Sequence, residues 1–220
     1  MSLFLVLHRV PRFPLAVRRF SWHSCLRMSR EVDNYYCIAL PRAGVESRLA
    51  KRLNKTFEKA DAESVGFLAL CPEKEVMLQH HGKWEKVTKP MTPGYVMVRS
   101  TANPLFVQNL LYDAGNGGRL LRYGNDGDYA LYGRDLHYAQ WVFSYDGLIG
   151  LSKVKFVPGN PVQVISGPLA SMQGLVTKVE KKGRKAWVDL PMMGQIIRVS
   201  IGVEFLMSGE EIESPPSCSK

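Results

Sequence analysis

The chain has 220 residues, of which 45% are hydrophobic and 22% charged, and its formal net charge is +9. That length holds one or two compact domains, and the composition is that of an ordinary soluble globular protein, neither fibrous nor disordered. No run approaches the roughly 18 apolar residues of a membrane helix. The four cysteines, Cys25, Cys37, Cys71 and Cys218, form no CxxC pair, which argues against a zinc ribbon or a disulfide framework and fits a reducing, cytoplasmic setting.

Residues 1–29 contain five arginines and no acid. Their apolar run, Leu3 to Leu7, is too short for a secretory signal, and the positive charge follows it instead of preceding it. An organellar transit peptide has a similar composition. The expectation is that translation starts at Met28 and that residues 1–29 are an extension outside the fold.

Tyr35 to Leu40 is a β-rich run. Residues 44–59 carry Val45, Leu49, Leu53 and Phe57 at helical spacing, with basic residues between them. Val65 to Leu70 reads as a second strand. Glu75–Gln79 and Trp84–Val87 flank His81-Gly82, a hairpin signal. Pro93-Gly94 turns into the strand Tyr95–Val98. Asn103-Pro104 starts a helix, with Asn as N-cap and Pro at the first helical position. Leu105, Phe106, Leu110 and Leu111 follow on one face, and Gly115 to Gly118 end it. Residues 135–145 form a weaker helical segment. The order predicts an α+β sandwich over 33–150, with helices on a mainly antiparallel sheet.

A second unit is expected over 153–207. Val162 to Ile165 alternates and ends at the turn Gly167-Pro168. Gly174 precedes another alternating run, then comes the basic turn Lys181-Lys182-Gly183-Arg184-Lys185, then two more β-rich runs. Short strands with turn punctuation predict a small β-barrel. The boundary is expected at Lys153–Phe156, ahead of Pro158-Gly159, with few contacts across it. Residues 208–220 read as a disordered tail. Residues 153–206 hold eight basic and three acidic residues, against 15 and 14 over 30–150. The folded charge is therefore concentrated in the C-terminal unit, where phosphates would be attracted.

The Gly-Pro-Leu…Gln-Gly-x-Val arrangement at 167–176 resembles a KOW motif, with Gly167, Pro168 and Gly174 at its turn and a Gly keeping a tight backbone path. Tyr35-Tyr36, the helix that follows, and the late Lys-Pro-Met-Thr-Pro-Gly-Tyr-Val-Met-Val strand resemble the N-terminal domain of NusG proteins. That domain followed by an SH3-like KOW barrel is the NusG architecture. The Gly-rich middle and the Ile-Ser-Gly-Pro-Leu start of the barrel are most similar to the LoaP type of paralogue. The resemblance implies a monomeric transcription elongation factor acting as a processive antiterminator. Its partners would be the clamp helices of RNA polymerase and nascent RNA, such as a leader hairpin. The alternatives are a general NusG factor whose barrel binds Rho or a ribosomal protein, and a KOW-containing translation protein without polymerase contact. Thr92 departs from the family pattern, which has an aromatic before Pro-Gly-Tyr.

As the resemblance implies, Tyr36, Phe67, Met91, Pro93, Gly94 and Tyr95 would supply an apolar polymerase-binding patch, where rigid aromatics act as anchors. The competing reading is a core role, and alternation sends one of Tyr35 and Tyr36 inward. Lys178, Lys181, Lys182, Arg184 and Lys185 are the candidate RNA-binding set, since Lys and Arg on a turn follow phosphates and Arg stacks on unpaired bases. The competing reading is a solvated basic hairpin. Trp187 is placed either to stack on a base or in the core. The glycines of 115–118 and 124–127 lack a phosphate-binding fingerprint. His80-His81 reads as a polar hairpin tip. No catalytic constellation, metal site or cofactor motif stands out, so no enzyme is expected.

Overall fold

The computed structural model describes residues 33–60, 65–115, 117–125, 127–155 and 162–206. The expectations for residues 1–29, for Pro158-Gly159 and for the tail 208–220 lie outside the described residues. Among the described residues, twelve strands and three α-helices follow in chain order: β1 (Asn34–Ala39), α1 (Glu46–Lys59), β2 (Phe67–Leu70), β3 (Glu73–His80), β4 (Lys83–Pro90), β5 (Tyr95–Ser100), α2 (Pro104–Ala114), β6 (Arg119–Leu120), α3 (Gly133–Ser144), β7 (Leu148–Ile149), β8 (Ser152–Lys155), β9 (Gln163–Ser166), β10 (Val176–Glu180), β11 (Lys185–Met192) and β12 (Gln195–Phe205).

The first sheet has the order β2-β5-β1-β6 and is antiparallel throughout. Alternation along its strands feeds two cores. Tyr36, Ile38, Ala69, Val96 and Val98 face α1 and α2, where they meet Leu49, Leu53, Phe106 and Leu110. Tyr35, Cys37, Leu68, Leu70, Tyr95 and Met97 face the other way, toward α3.

The helices start where their side chains can satisfy free amides. The Asn103 side chain accepts from the Phe106 amide at 3.0 Å, and Pro104 opens α2. α1 begins at Glu46, two residues later than the sequence pattern places it, because Gly44 is left-handed at φ +93°. The buried Glu46 carboxylate accepts from the amides of Gly44, at 2.8 Å, and Gly94, at 2.5 Å. It thereby ties the start of α1 to the Pro93-Gly94 turn.

β3 and β4 form the expected hairpin, longer than the pattern suggests, and β7 joins it in parallel. The C-terminal sheet has the order β10-β11-β12-β8-β9. A 3-10 stretch, Pro168–Leu175, bridges its two end strands. β8 lies in the segment read as a boundary, yet it pairs in parallel with the end of β12 and antiparallel with β9. Only Gly150 and Leu151 separate it from β7, so the chain passes directly from one sheet to the next.

The tight backbone path belongs to Gly167, not Gly174. Gly167 is at φ +95°, and a Cβ there would lie 2.8 Å from the Ser152 Cα, whereas a Cβ at Gly174 would meet nothing within 4 Å. Gly167→Ala is therefore expected to cost at least about 2 kcal/mol through left-handed strain and a backbone clash, while Gly174→Ala stays within about 0.5 kcal/mol of the parent. Urea unfolding of the two variants measures the difference, and equal losses would remove the special role of Gly167.

Candidate functional site

The six residues proposed for an apolar docking patch do not share one exposed face. Tyr36 is only 1% exposed and sits in the core under α1 and α2. Its hydroxyl donates to the Ala102 carbonyl at 2.9 Å, and burial followed by the Asp128 charge pushes its pKa up to about 12. Phe67 lies on the same side, half-buried and stacked on Phe57 with centroids 5.0 Å apart. Met91 is also buried, but in the opposite core, and Tyr95 packs against that same core. Gly94 is half-buried, at φ +88°, with its amide on Glu46. Pro93 is the exposed member of the set. The sequence left open which of Tyr35 and Tyr36 points inward. Each points into a different core, because both faces of this sheet are covered.

The face opposite α1 and α2 is the more informative one. Tyr35, Cys37, Leu68, Leu70, Tyr95 and Met97 form an apolar surface on which α3 and the C-terminal unit lie. Phe143 meets the Tyr35 ring edge-on at 5.4 Å, and the Arg99 guanidinium sits 5.4 Å from the Phe143 centroid. The Cys37 Sγ is 3.8 Å from the Met192 Sδ on β11. Burial, followed by the Asp135 charge, pushes the Cys37 thiol well up. The Trp141 indole N–H donates to the Pro168 carbonyl at 3.0 Å, and the Leu169 amide donates to the buried Ser152 hydroxyl at 3.0 Å. A Cβ at Gly202 of β12 would come 2.6 Å from the Glu75 carbonyl oxygen of β3. The expectation of few contacts across the boundary is therefore corrected: one apolar cluster runs from Cys37 to Val203. The alternation Tyr35-x-Cys37 and the run Trp141-Val142-Phe143 were the signals that could have exposed this second face. Thr92 is buried there, its hydroxyl 3.4 Å from that of Tyr138.

The basic set splits in two. Lys178, Lys181 and Lys182 are exposed around the β10–β11 turn. Arg184, at φ +46°, places its guanidinium 4.8 Å from the Trp84 ring centroid on the β3–β4 hairpin. Lys185 pairs with Glu180 at 3.3 Å and lies 5.3 Å from the Trp187 centroid. Arg184 and Lys185 are thus engaged within the protein, and Trp187 is half-buried beneath Lys185. His80 and His81 form an exposed hairpin tip, with His81 at φ +48°. Among the described residues no helix is long and apolar enough to cross a membrane.

Neither a protein-family model nor a curated protein matches the chain. Among solved structures 21 chains match. One, described as "Domain interaction in Thermotoga maritima NusG", shares 17% identity and a TM-score of 0.43, covering 78% of this chain and 94% of that one. At that identity and score the likeness carries no functional argument.

With the thiol fully buried, Cys37 is expected to stay unmodified by maleimide in the native chain. Met192→Ala removes its cover, costs about 2–3 kcal/mol as a core truncation, and speeds that modification. Peptide mass spectrometry of the labelled chain gives the rate. An unchanged rate would mean that the C-terminal unit does not gate this face.

Proposed function

We propose that the chain is a NusG-type transcription elongation factor, a processive antiterminator of the LoaP kind. In this reading residues 33–150 hold RNA polymerase, and residues 153–206, as an SH3-like KOW unit, bind nascent RNA. The observation that carries the reading is the pairing of an apolar sheet face with a small basic β unit, in the order set by the sequence motifs. An apolar sheet face suits a helical partner, and exposed lysines at and beside one turn suit phosphates. The protein acts as a cytoplasmic monomer without catalytic chemistry.

The apolar face is covered by the C-terminal unit, so polymerase binding through it requires that unit to move aside. Tyr95, half-buried on this face, becomes an anchor once it does. The engagement of Arg184 with Trp84 and of Lys185 with Glu180 thins the set available to RNA. That favours, as the second reading, a general factor whose C-terminal unit meets Rho or a ribosomal protein.

Core RNA polymerase and the full chain are expected to bind each other in a pull-down, and Tyr95→Ala to weaken that binding by about thirtyfold, the equivalent of about 2 kcal/mol. Full chain that fails to bind sinks the polymerase reading. For RNA, three lysine–phosphate contacts on a single strand predict a slope of log affinity against log salt near −2, flattened by about 0.7 in Lys182→Ala. Anisotropy with a leader hairpin at several salt concentrations measures both slopes. No RNA binding at low salt would favour the second reading.

A further inference from the structure

α3 and the 3-10 stretch Pro168–Leu175 are joined where the Trp141 indole meets the Pro168 carbonyl. Beside that joint a cavity of about 470 Å³ opens between α3, the 3-10 stretch and Pro191 of β11. A smaller one, of about 260 Å³, shares His137, Ser171 and Met172 with it and reaches Trp141. Small-ligand sites span about 300–1,000 Å³.

The lining combines two chemistries. Met172, Leu175, Pro191 and the Tyr138 ring are its apolar part. The Tyr138 hydroxyl is engaged at 3.4 Å with Thr92 in the core, so the ring is what it gives the cavity. Arg134 and His137 are the cationic part. Both are exposed, and their spacing along α3 puts them on one helix face. Among the described residues neither makes an ion pair or a side-chain hydrogen bond, and no acidic side chain lines either cavity. The Asp135 carboxylate of the same helix accepts from the Tyr123 hydroxyl and is not in the lining.

Gly174 lines the cavity as well. Its backbone does not require a glycine: its φ is not left-handed, and a Cβ there would meet nothing within 4 Å. The missing side chain leaves the cavity open.

These parts select a ligand. Two unpaired cationic side chains on one face call for an anionic group, and a planar guanidinium matches a carboxylate in a bidentate way. The wall of Met172, Leu175 and the Tyr138 ring calls for an apolar body, whose burial adds affinity in proportion to its area. A phosphodiester chain supplies the charge without the body. The volume admits one or two rings or a short alkyl chain.

From this geometry we infer that the cavity between α3 and the 3-10 stretch is a binding site for a small apolar carboxylate. Arg134 and His137 hold its anionic end, and Met172, Leu175 and Tyr138 cover its body. The walls come from both parts of the chain, so the bound carboxylate favours their packed arrangement over separation. The consequence for polymerase binding rests on the proposed function, whereas the site itself does not.

The probe is 2-naphthoate, titrated into the full chain while the Trp141 indole and the Ser171 and Gly174 amides are followed by proton–nitrogen NMR. These signals are expected to shift and saturate. 2-Naphthylmethanol, the body without the charge, and acetate, the charge without the body, are each expected to bind at least about tenfold more weakly. Arg134→Gln should weaken 2-naphthoate binding by about tenfold, the loss of one charge-assisted contact. Gly174→Leu fills the cavity and should abolish the shifts, while the rest of its spectrum reports whether the fold is intact. Shifts that do not saturate in the parent, or that are equal in a folded Gly174→Leu chain, would overturn the inference. Naphthylmethanol binding as tightly as naphthoate would overturn the role of the two cations.

The joining effect has its own readout, which needs no polymerase. In Met192→Ala, where Cys37 is uncovered, 2-naphthoate at about ten times its dissociation constant is expected to slow maleimide labelling of Cys37 by about tenfold. An unchanged rate would overturn the joining effect.

Discussion

Along β1 and β5, successive side chains leave the sheet on opposite sides, and both sides are filled. Six paired positions, from Asn34↔Ser100 to Ala39↔Tyr95, hold this ladder in register. Tyr36 and Ile38 go one way and Tyr35 and Cys37 the other. A slip of one residue would exchange the two sets and place Tyr36, with its hydroxyl bonded to Ala102, on the wrong side. Register on this ladder therefore decides which residues meet α1 and α2 and which remain for α3 and the C-terminal strands. The Glu46 carboxylate strengthens that choice by joining the start of α1 to the turn that feeds β5.

The second face explains why the C-terminal sheet is attached as it is. Cys37, Met97 and Tyr95 would expose a continuous apolar surface if α3 alone covered them, and such patches are uncommon on isolated soluble proteins. Leu169, Met172 and Met192 belong to the same buried cluster and complete the cover. Two directional contacts, Trp141 to Pro168 and Leu169 to Ser152, add specificity to an otherwise apolar seam. The short step from β7 to β8, through Gly150 and Leu151, leaves little slack. Gly202 allows β12 to approach the backbone of β3, where any side chain would collide. The same seam stands between the apolar face and any partner, so binding there and separation of the two parts are linked equilibria.

Charge follows a different plan from apolar burial. Within the fold Lys185 pairs with Glu180 and Arg184 sits over the Trp84 ring, while Lys178, Lys181 and Lys182 are exposed. Among the described residues the arginines at 119 and 122 make no ion pair, and both are exposed. Lysine on a turn offers a mobile point charge, whereas arginine offers a planar fork that can hold an anion from a fixed direction. The two basic regions thus differ in what they can recognise, not only in position.

Local pattern alone was enough for the elements whose signals are short-range. Asn103-Pro104 marked the start of α2, His81-Gly82 marked the hairpin, and the spacing of Leu49, Leu53 and Phe57 marked α1, because capping, turn geometry and helical period act within a few residues. The basic turn was also legible, since Lys181 to Lys185 are contiguous. Three features were not. Tyr36 and Met91 resembled surface anchors until the packing of both sheet faces enclosed them. Lys153 to Lys155 resembled a boundary until β12, some fifty residues later, supplied the hydrogen-bonding edge that makes β8 a strand. Arg134 and Gly174 looked unrelated because the cavity that unites them is walled by α3 and the C-terminal unit. The sequence by itself determined the elements with short-range signals and the sign of the charge. Only the tertiary structure decided which face was covered and which cations were engaged within the fold, because both depend on contacts between residues far apart along the chain.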